Sequence, residues 1–197
     1  RALEREGYEV TYLQPDRSGN ITARQVKEAL RPDTILVSMM LVNNELGTIL
    51  PVAETARVLK EAGSGVLLHC DGVQGFLKVP FTPKELGVDM LSISGHKIHA
   101  PKGIGALYLS DRLVQAFRSP YLGGEQERGL RPGTENLPYA MGLAAAATRL
   151  AKTMKSRDTA MKALNQRLRD GLKAFPEVEL NSPENAVPEV LNFSEMC

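Results

Sequence analysis

Val88-Asp89-Met90-Leu91-Ser92-Ile93-Ser94-Gly95-His96-Lys97 decides the fold of this chain. The apolar run from Val88 to Ile93 reads as a strand, and it ends abruptly in a hydroxyl, a glycine, an imidazole and an amine. Two segments upstream repeat the arrangement. Thr34 to Val42 is apolar almost throughout and leads into Asn43-Asn44-Glu45, while Val66 to Cys70 leads into Asp71-Gly72-Val73-Gln74. A strand such as Thr34 to Val42, without polar alternation, suits a parallel sheet covered on both faces. Ligands of open α/β sheets sit beyond the carboxyl ends of the strands. Asn43 to Glu45, Asp71, Gln74 and Ser94 to Lys97 are therefore expected to converge on one small molecule.

The intervening segments fill in the helices. A short helix ends at Glu6 before Gly7, a strand is expected at Tyr8 to Tyr12, and Pro15 to Asn20 reads as a turn. Thr22 with Gln25 three residues on has the pattern of a capping box, opening a helix that ends before Pro32. Pro51 and Gly63 bracket a helix from Pro51 to Ala62. The strand Gly105 to Leu109 is expected to pair antiparallel with Asp89 to Ser94 through the loop Ile98 to Ile104. From Pro138, the residues Met141, Leu143, Ala144, Ala147, Leu150 and Ala151 fall at helical spacing, and a second helical stretch covers Thr159 to Phe175. Glu177 to Leu180 and Val190 to Phe193 read as strands. The expected architecture is α/β, a mostly parallel sheet flanked by helices. Residues 1–137 form part of a large ligand-binding domain, 138–175 a helical connector, and 176–197 the beginning of a small α+β domain.

A chain of 197 residues with 43% hydrophobic and 24% charged residues and a net charge of +1 can bury a substantial core. Its basic residues are scattered among acidic ones, so no nucleic-acid partner is expected. No apolar run approaches the about 20 residues that span a bilayer, and the opening Arg1 to Gly7 lacks the apolar core of a signal peptide. A cytoplasmic setting without membrane contact is expected. The two cysteines, Cys70 and Cys197, are far apart and have no metal-ligand spacing, so no metal site is expected. A chain that begins partway through a helix without Met and stops just after a strand reads as a fragment.

A lysine amine, phosphate donors and a carboxylate beside strand ends are the groups that pyridoxal 5'-phosphate demands. The amine condenses with its aldehyde, donors hold its phosphate, and a carboxylate keeps its pyridine nitrogen protonated so that the ring withdraws electrons. Taken singly, an Asp after a strand is more often a helix cap and a Lys more often solvated. Their joint occurrence favours a site. The loop from Tyr121 to Asn136 is too long for a simple turn; its glycines allow close backbone approach, and Arg128, Arg131 and Thr134 supply anion donors. A mobile surface loop is the alternative reading there.

Four segments in order carry a specific likeness: Val42-Asn43-Asn44-Glu45-Leu46-Gly47, His69-Cys70-Asp71-Gly72-Val73-Gln74, Ser94-Gly95-His96-Lys97, and Gly123 to Asn136 with its Arg131-Pro132-Gly133-Thr134-Glu135-Asn136. Together they resemble the cysteine desulfurases, which belong with the class V aminotransferases of fold type I, and the likeness runs from Glu4 to about Phe193. The resemblance implies that Lys97 bonds the cofactor and shuttles the substrate's α-proton. It implies Asp71 as partner of the pyridine nitrogen, and Asn44 and Gln74 as hydrogen-bond partners of the cofactor's phenolic oxygen and neighbouring carboxylate. Ser94 and His96 resemble phosphate ligands, and Thr134 resembles one donated from the second subunit of a homodimer. His69 stands behind the site and His99 is structural. The implied reaction takes L-cysteine or a related amino acid to alanine and leaves the sulfur as a persulfide on an enzyme cysteine. From there a sulfur-acceptor protein takes it, in iron–sulfur cluster biogenesis.

Neither Cys70 nor Cys197 matches the context of that nucleophile. The family's ring-stacking histidine and small-residue phosphate loop precede residue 1, and its substrate-carboxylate arginine follows residue 197, so turnover by this stretch alone is not expected. The alternatives are a selenocysteine lyase or another class V aminotransferase, and a non-catalytic structural or partner-binding fragment. A nucleotide-binding module, suggested by Gly103-Ile104-Gly105 and Gly123-Gly124, lacks any complete phosphate-loop motif.

Overall fold

Four strands, Leu36–Met40 (β1), Leu67–Asp71 (β2), Met90–Ser94 (β3) and Gly105–Leu109 (β4), lie side by side in chain order in a computed structural model that describes residues 1–63 and 65–195. β1, β2 and β3 run parallel, and β4 returns antiparallel with Met90 opposite Leu109 and Ser94 opposite Gly105. A separate antiparallel pair joins Val178–Leu180 (β5) to Phe193–Glu195 (β6). The helices of the described residues are Ala2–Arg5 (α1), Ala23–Ala29 (α2), Val52–Glu61 (α3), Pro83–Leu86 (α4), Asp111–Val114 (α5) and Leu137–Leu172 (α6). Cys197 lies outside the described residues.

Alternation along β2 sets the two faces of the sheet. Leu68 and Cys70 point to one side, where they are 1% and 0% exposed, and pack with Leu91, with Val52 and Leu59 of α3, and with Leu86 of α4. Burying each such side chain contributes about 1.5–3 kcal/mol. His69 points to the other side and joins the three parallel strands, sharing hydrogen bonds with Ser38 Oγ at 2.8 Å and Ser92 Oγ at 2.9 Å. The apolar run before Asn43 is therefore not covered on both faces, as its composition suggests. β1 is the edge of the sheet among the described residues, and Leu36, on the same face as Ser38 and His69, is 39% exposed because the helices pack on the opposite face.

Local chemistry fixes the helix ends. Thr22 and Gln25 close both halves of the expected capping box, and Thr82 and Glu85 form a second at α4 that the sequence reading does not anticipate. Tyr8 to Tyr12 forms no ladder among the described residues. Tyr12 instead accepts a hydrogen bond from the Arg1 amino group and donates to Glu4. The two expected C-terminal helical stretches are one helix of 36 residues. In its polar middle, Thr153, Ser156 and Thr159 return their hydroxyls to carbonyls of Arg149, Thr153 and Lys155. Of its apolar stripe only Leu150 is buried, while Met141 is exposed. The last strand begins at Phe193 rather than Val190, because Val190 N–H closes a turn onto Val187 O at 3.2 Å.

Candidate functional site

Each parallel strand ends in a turn, the first two closed by side chains and the third by backbone hydrogen bonds. After β1, Asn43 Oδ1 accepts from the N–H groups of Glu45 at 2.9 Å and Leu46 at 2.8 Å, an Asx turn that leaves Asn44 exposed. Gly47 closes it at φ +76, where a Cβ would stand 2.9 Å from Val190 Cβ. After β2, Asp71 Oδ1 accepts from Val73 N–H at 2.9 Å. Asp71 thus caps no helix among the described residues but closes a local turn, with one carboxylate oxygen only.

After β3 the chain enters a 3-10 turn, Gly95–Ile98, that carries Lys97. Gly95 N–H donates to Ile104 O at 2.9 Å and Gly95 O accepts from Ala100 N–H at 3.0 Å, so the turn is pinned from both sides. A Cβ on Gly95 would lie 2.8 Å from Ile104 Cγ2 and 3.0 Å from Ile104 O. His99 ends the turn in the left-handed region, at φ +62, in keeping with a structural role. From the far side, α6 approaches so closely that a Cβ on Gly142 would meet Pro101 at 2.8 Å.

These turns enclose a cleft of about 340 Å³ lined by Met40, Val42, Asn44, Asp71, Val73, Gln74 and Lys97. Four of the expected residues, Asn44, Asp71, Gln74 and Lys97, therefore meet, one or two from each strand end. Ser94 and His96 bond each other, Oγ to Nδ1 at 2.8 Å, beside the cleft but not in its lining. Thr134 is exposed on the loop between α5 and α6 and does not line the cleft either. That loop is braced by its own contacts, including Gly133 N–H to Gln126 Oε1 at 3.0 Å, and it places Glu127 and Arg128 at φ +50 and +59. A larger cleft, of about 650 Å³, lies at the opposite end of the sheet beside Asp89 and Arg112 and holds none of these residues.

The electrostatics separate reactive from inert groups. Burial, with the nearby charge of Asp71, pushes the Cys70 thiol up to about 12, which rules it out as a thiolate nucleophile at neutral pH. Burial lowers His69 below the ordinary imidazole value while Asp71 opposes the shift, so the ring bridges its two serines in the neutral form. Among the described residues no group of His, Cys, Asp and Glu is arranged to hold a metal, and no helix is long and apolar enough to cross a membrane. The sequence reading misses Lys78, whose Nζ donates to Gln74 Oε1 at 2.9 Å, and the Arg157–Glu189 pair behind it. The only signal was the four-residue spacing of Gln74 and Lys78.

A parallel sheet that gathers an amine, a carboxylate and two amides beyond its strand ends has the architecture of a fold type I transferase. The model of the class-V aminotransferases matches residues 1–195, and the chain belongs to that family, whose members depend on pyridoxal 5'-phosphate. It is 45% identical over 197 residues to the cysteine desulfurase IscS of Anaeromyxobacter dehalogenans (strain 2CP-C), a match that covers 98% of this chain and 48% of that relative. Among solved structures, a NifS-like protein superposes with a TM-score of 0.93 at 35% identity, covering 98% of this chain and 53% of the other. SspA in complex with cysteine superposes with a TM-score of 0.84 at 36% identity, again over 98% and 53%. The chain spans about half the length of the curated relatives it matches.

Proposed function

We propose that this chain is the cofactor-bearing part of a cysteine desulfurase that converts L-cysteine to L-alanine and passes the sulfur to a cysteine of the enzyme. The observation that carries this reading is the meeting of Lys97 and Asp71, with Gln74 and Asn44, in one cleft at the carboxyl ends of β1, β2 and β3. Its support from relatives is the desulfurase at 45% identity and the structural neighbour in complex with cysteine.

The donor set fits pyridoxal 5'-phosphate. Lys97 offers a primary amine on a turn that Gly95 and Ile104 hold in place. Asp71 has one oxygen tied to Val73 N–H, which fixes the direction of the other, and Gln74 and Asn44 bring amides to the same cleft. When bound, the cofactor supplies an electron sink for charge left at the substrate's α-carbon. Lys97 takes and returns the proton at that carbon. Ser94 and His96, beside the cleft, hold phosphate oxygens. Thr134, exposed on its loop, reaches the cofactor of the partner subunit in a homodimer.

In the overall exchange the carbon–sulfur bond of L-cysteine breaks and a sulfur–sulfur bond forms with the enzyme thiol. The carbon retains the bonding pair and is protonated, so cysteine and thiol become alanine and persulfide. Cys70 is not that thiol, since it is buried and its thiolate is strongly disfavoured. The reading extends to a cytoplasmic protein that hands its sulfur to an acceptor protein serving iron–sulfur cluster biogenesis.

The test is to incubate the full-length protein with pyridoxal phosphate, L-cysteine and a thiol reductant, and to quantify alanine and sulfide. Equal amounts of the two are expected. Cofactor-loaded protein that forms no alanine above the protein-free blank contradicts the proposal.

A further inference from the structure

The amide of Gln74 can present either its oxygen or its nitrogen to the cleft, and only the nitrogen donates. Lys78 Nζ lies 2.9 Å from Gln74 Oε1. An ammonium group has donors alone, so this contact engages the amide oxygen and leaves the NH₂ as the group that Gln74 can offer to the cleft it lines.

The surrounding chain is arranged to keep Lys78 there. Leu77 sits at φ +60, a strained region for a residue with a branched side chain, and its carbonyl accepts from Arg157 Nη2 of α6 at 3.1 Å. Arg157 also faces Glu189, from the segment between β5 and β6, at 4.0 Å. Burial lowers the Lys78 amine below its ordinary value, Glu189 draws it back up, and Lys97 and Arg157 push it further down. Arg157 Nη1 and Glu189 Oε2 are buried with no hydrogen-bond partner among the described residues. The pair is half-buried, at 30% and 17% side-chain exposure, and 4.0 Å apart, so it is a weak source of stability.

We infer that Lys78 is a positioning residue that orients the Gln74 amide to donate into the cofactor cleft, with Arg157 holding the adjacent Leu77 carbonyl from the later part of the chain. This rests on the proposed function, because the donor matters only if an acceptor oxygen of pyridoxal phosphate binds there.

The experiment compares pyridoxal phosphate affinity, by absorbance titration of the full-length protein, in wild type, Lys78→Met, Lys78→Arg, Gln74→Leu and the double variant Lys78→Met with Gln74→Leu. Lys78→Met should weaken binding roughly tenfold, Lys78→Arg should restore most of the loss, and the double variant should bind no more weakly than Gln74→Leu. In cofactor-free protein the Gln74 side-chain ¹⁵N–H resonances should move in Lys78→Met. Lys78→Ala, which also removes the donor, covers a failure of Lys78→Met to fold and should show the same non-additivity with Gln74→Leu. Additive losses in a protein that does bind the cofactor, or Gln74 resonances unmoved by loss of Lys78, overturn the inference alone. A wild type that takes up no pyridoxal phosphate overturns the functional reading, and this one with it.

Discussion

Asp89 ties together the end of the sheet opposite the cleft. It is 5% exposed and accepts from Leu68 N–H at 2.8 Å, from Ser110 Oγ at 3.3 Å and from the guanidinium of Arg112. Burial works against its charge, but Arg112, Leu68 and Ser110 together hold the carboxyl below the ordinary aspartate value of 3.8. Because the folded value is the lower one, the resulting stability is complete above the unfolded value and disappears as pH falls through the folded one. Asp89→Asn should therefore lower the unfolding free energy by about 2 kcal/mol at neutral pH, and the gap from wild type should close in acid. Denaturant titrations at a series of pH values measure both. At this scale Lys97, Asp71, Gln74 and Asn44 were legible because each lies at a strand's carboxyl end or within a few residues beyond it, and strand ends converge by topology. Ser94 and His96 share that position, yet they bond each other beside the cleft instead of lining it. Lys78 was not legible, since it reaches Gln74 only through the left-handed backbone at Leu77, which no sequence pattern marks.

The hairpin of β3 and β4 shows the same logic in an element. Its loop carries Lys97, and Gly95 passes so close to Ile104 that even a methyl group has no room. Gly95→Ala should cost about 1–3 kcal/mol and displace the Lys97 turn, with cofactor affinity falling in parallel. A melting curve and a pyridoxal phosphate titration of the same preparation check both effects. The antiparallel return of Gly105–Leu109 was readable from a short loop between two apolar runs. The unbroken α6 was not, because Lys152 to Asp158 is polar enough to read as a gap. The exposure of β1 was equally hidden: an apolar run records no distinction between an edge strand and a covered one.

Across the whole molecule, the apolar core lies under one face of the sheet, a serine–histidine row crosses the other, and the cleft opens at the carboxyl ends between them. The segment leading to β6 reaches back over this end. Val187 N–H donates to Gly47 O at 2.9 Å beneath the Asn44 turn, and Glu189 faces Arg157 behind Lys78. Residues far apart in the chain thus bear on one small site, and Lys97 is its proposed point of covalent attachment. The most direct measurement is to load the full-length protein with pyridoxal phosphate, reduce it with borohydride and map the modified peptide by mass spectrometry. A label on Lys97, lost in Lys97→Ala, is the expected result; a label on another lysine, or none on a folded protein, would contradict the assignment of this cleft as the cofactor site.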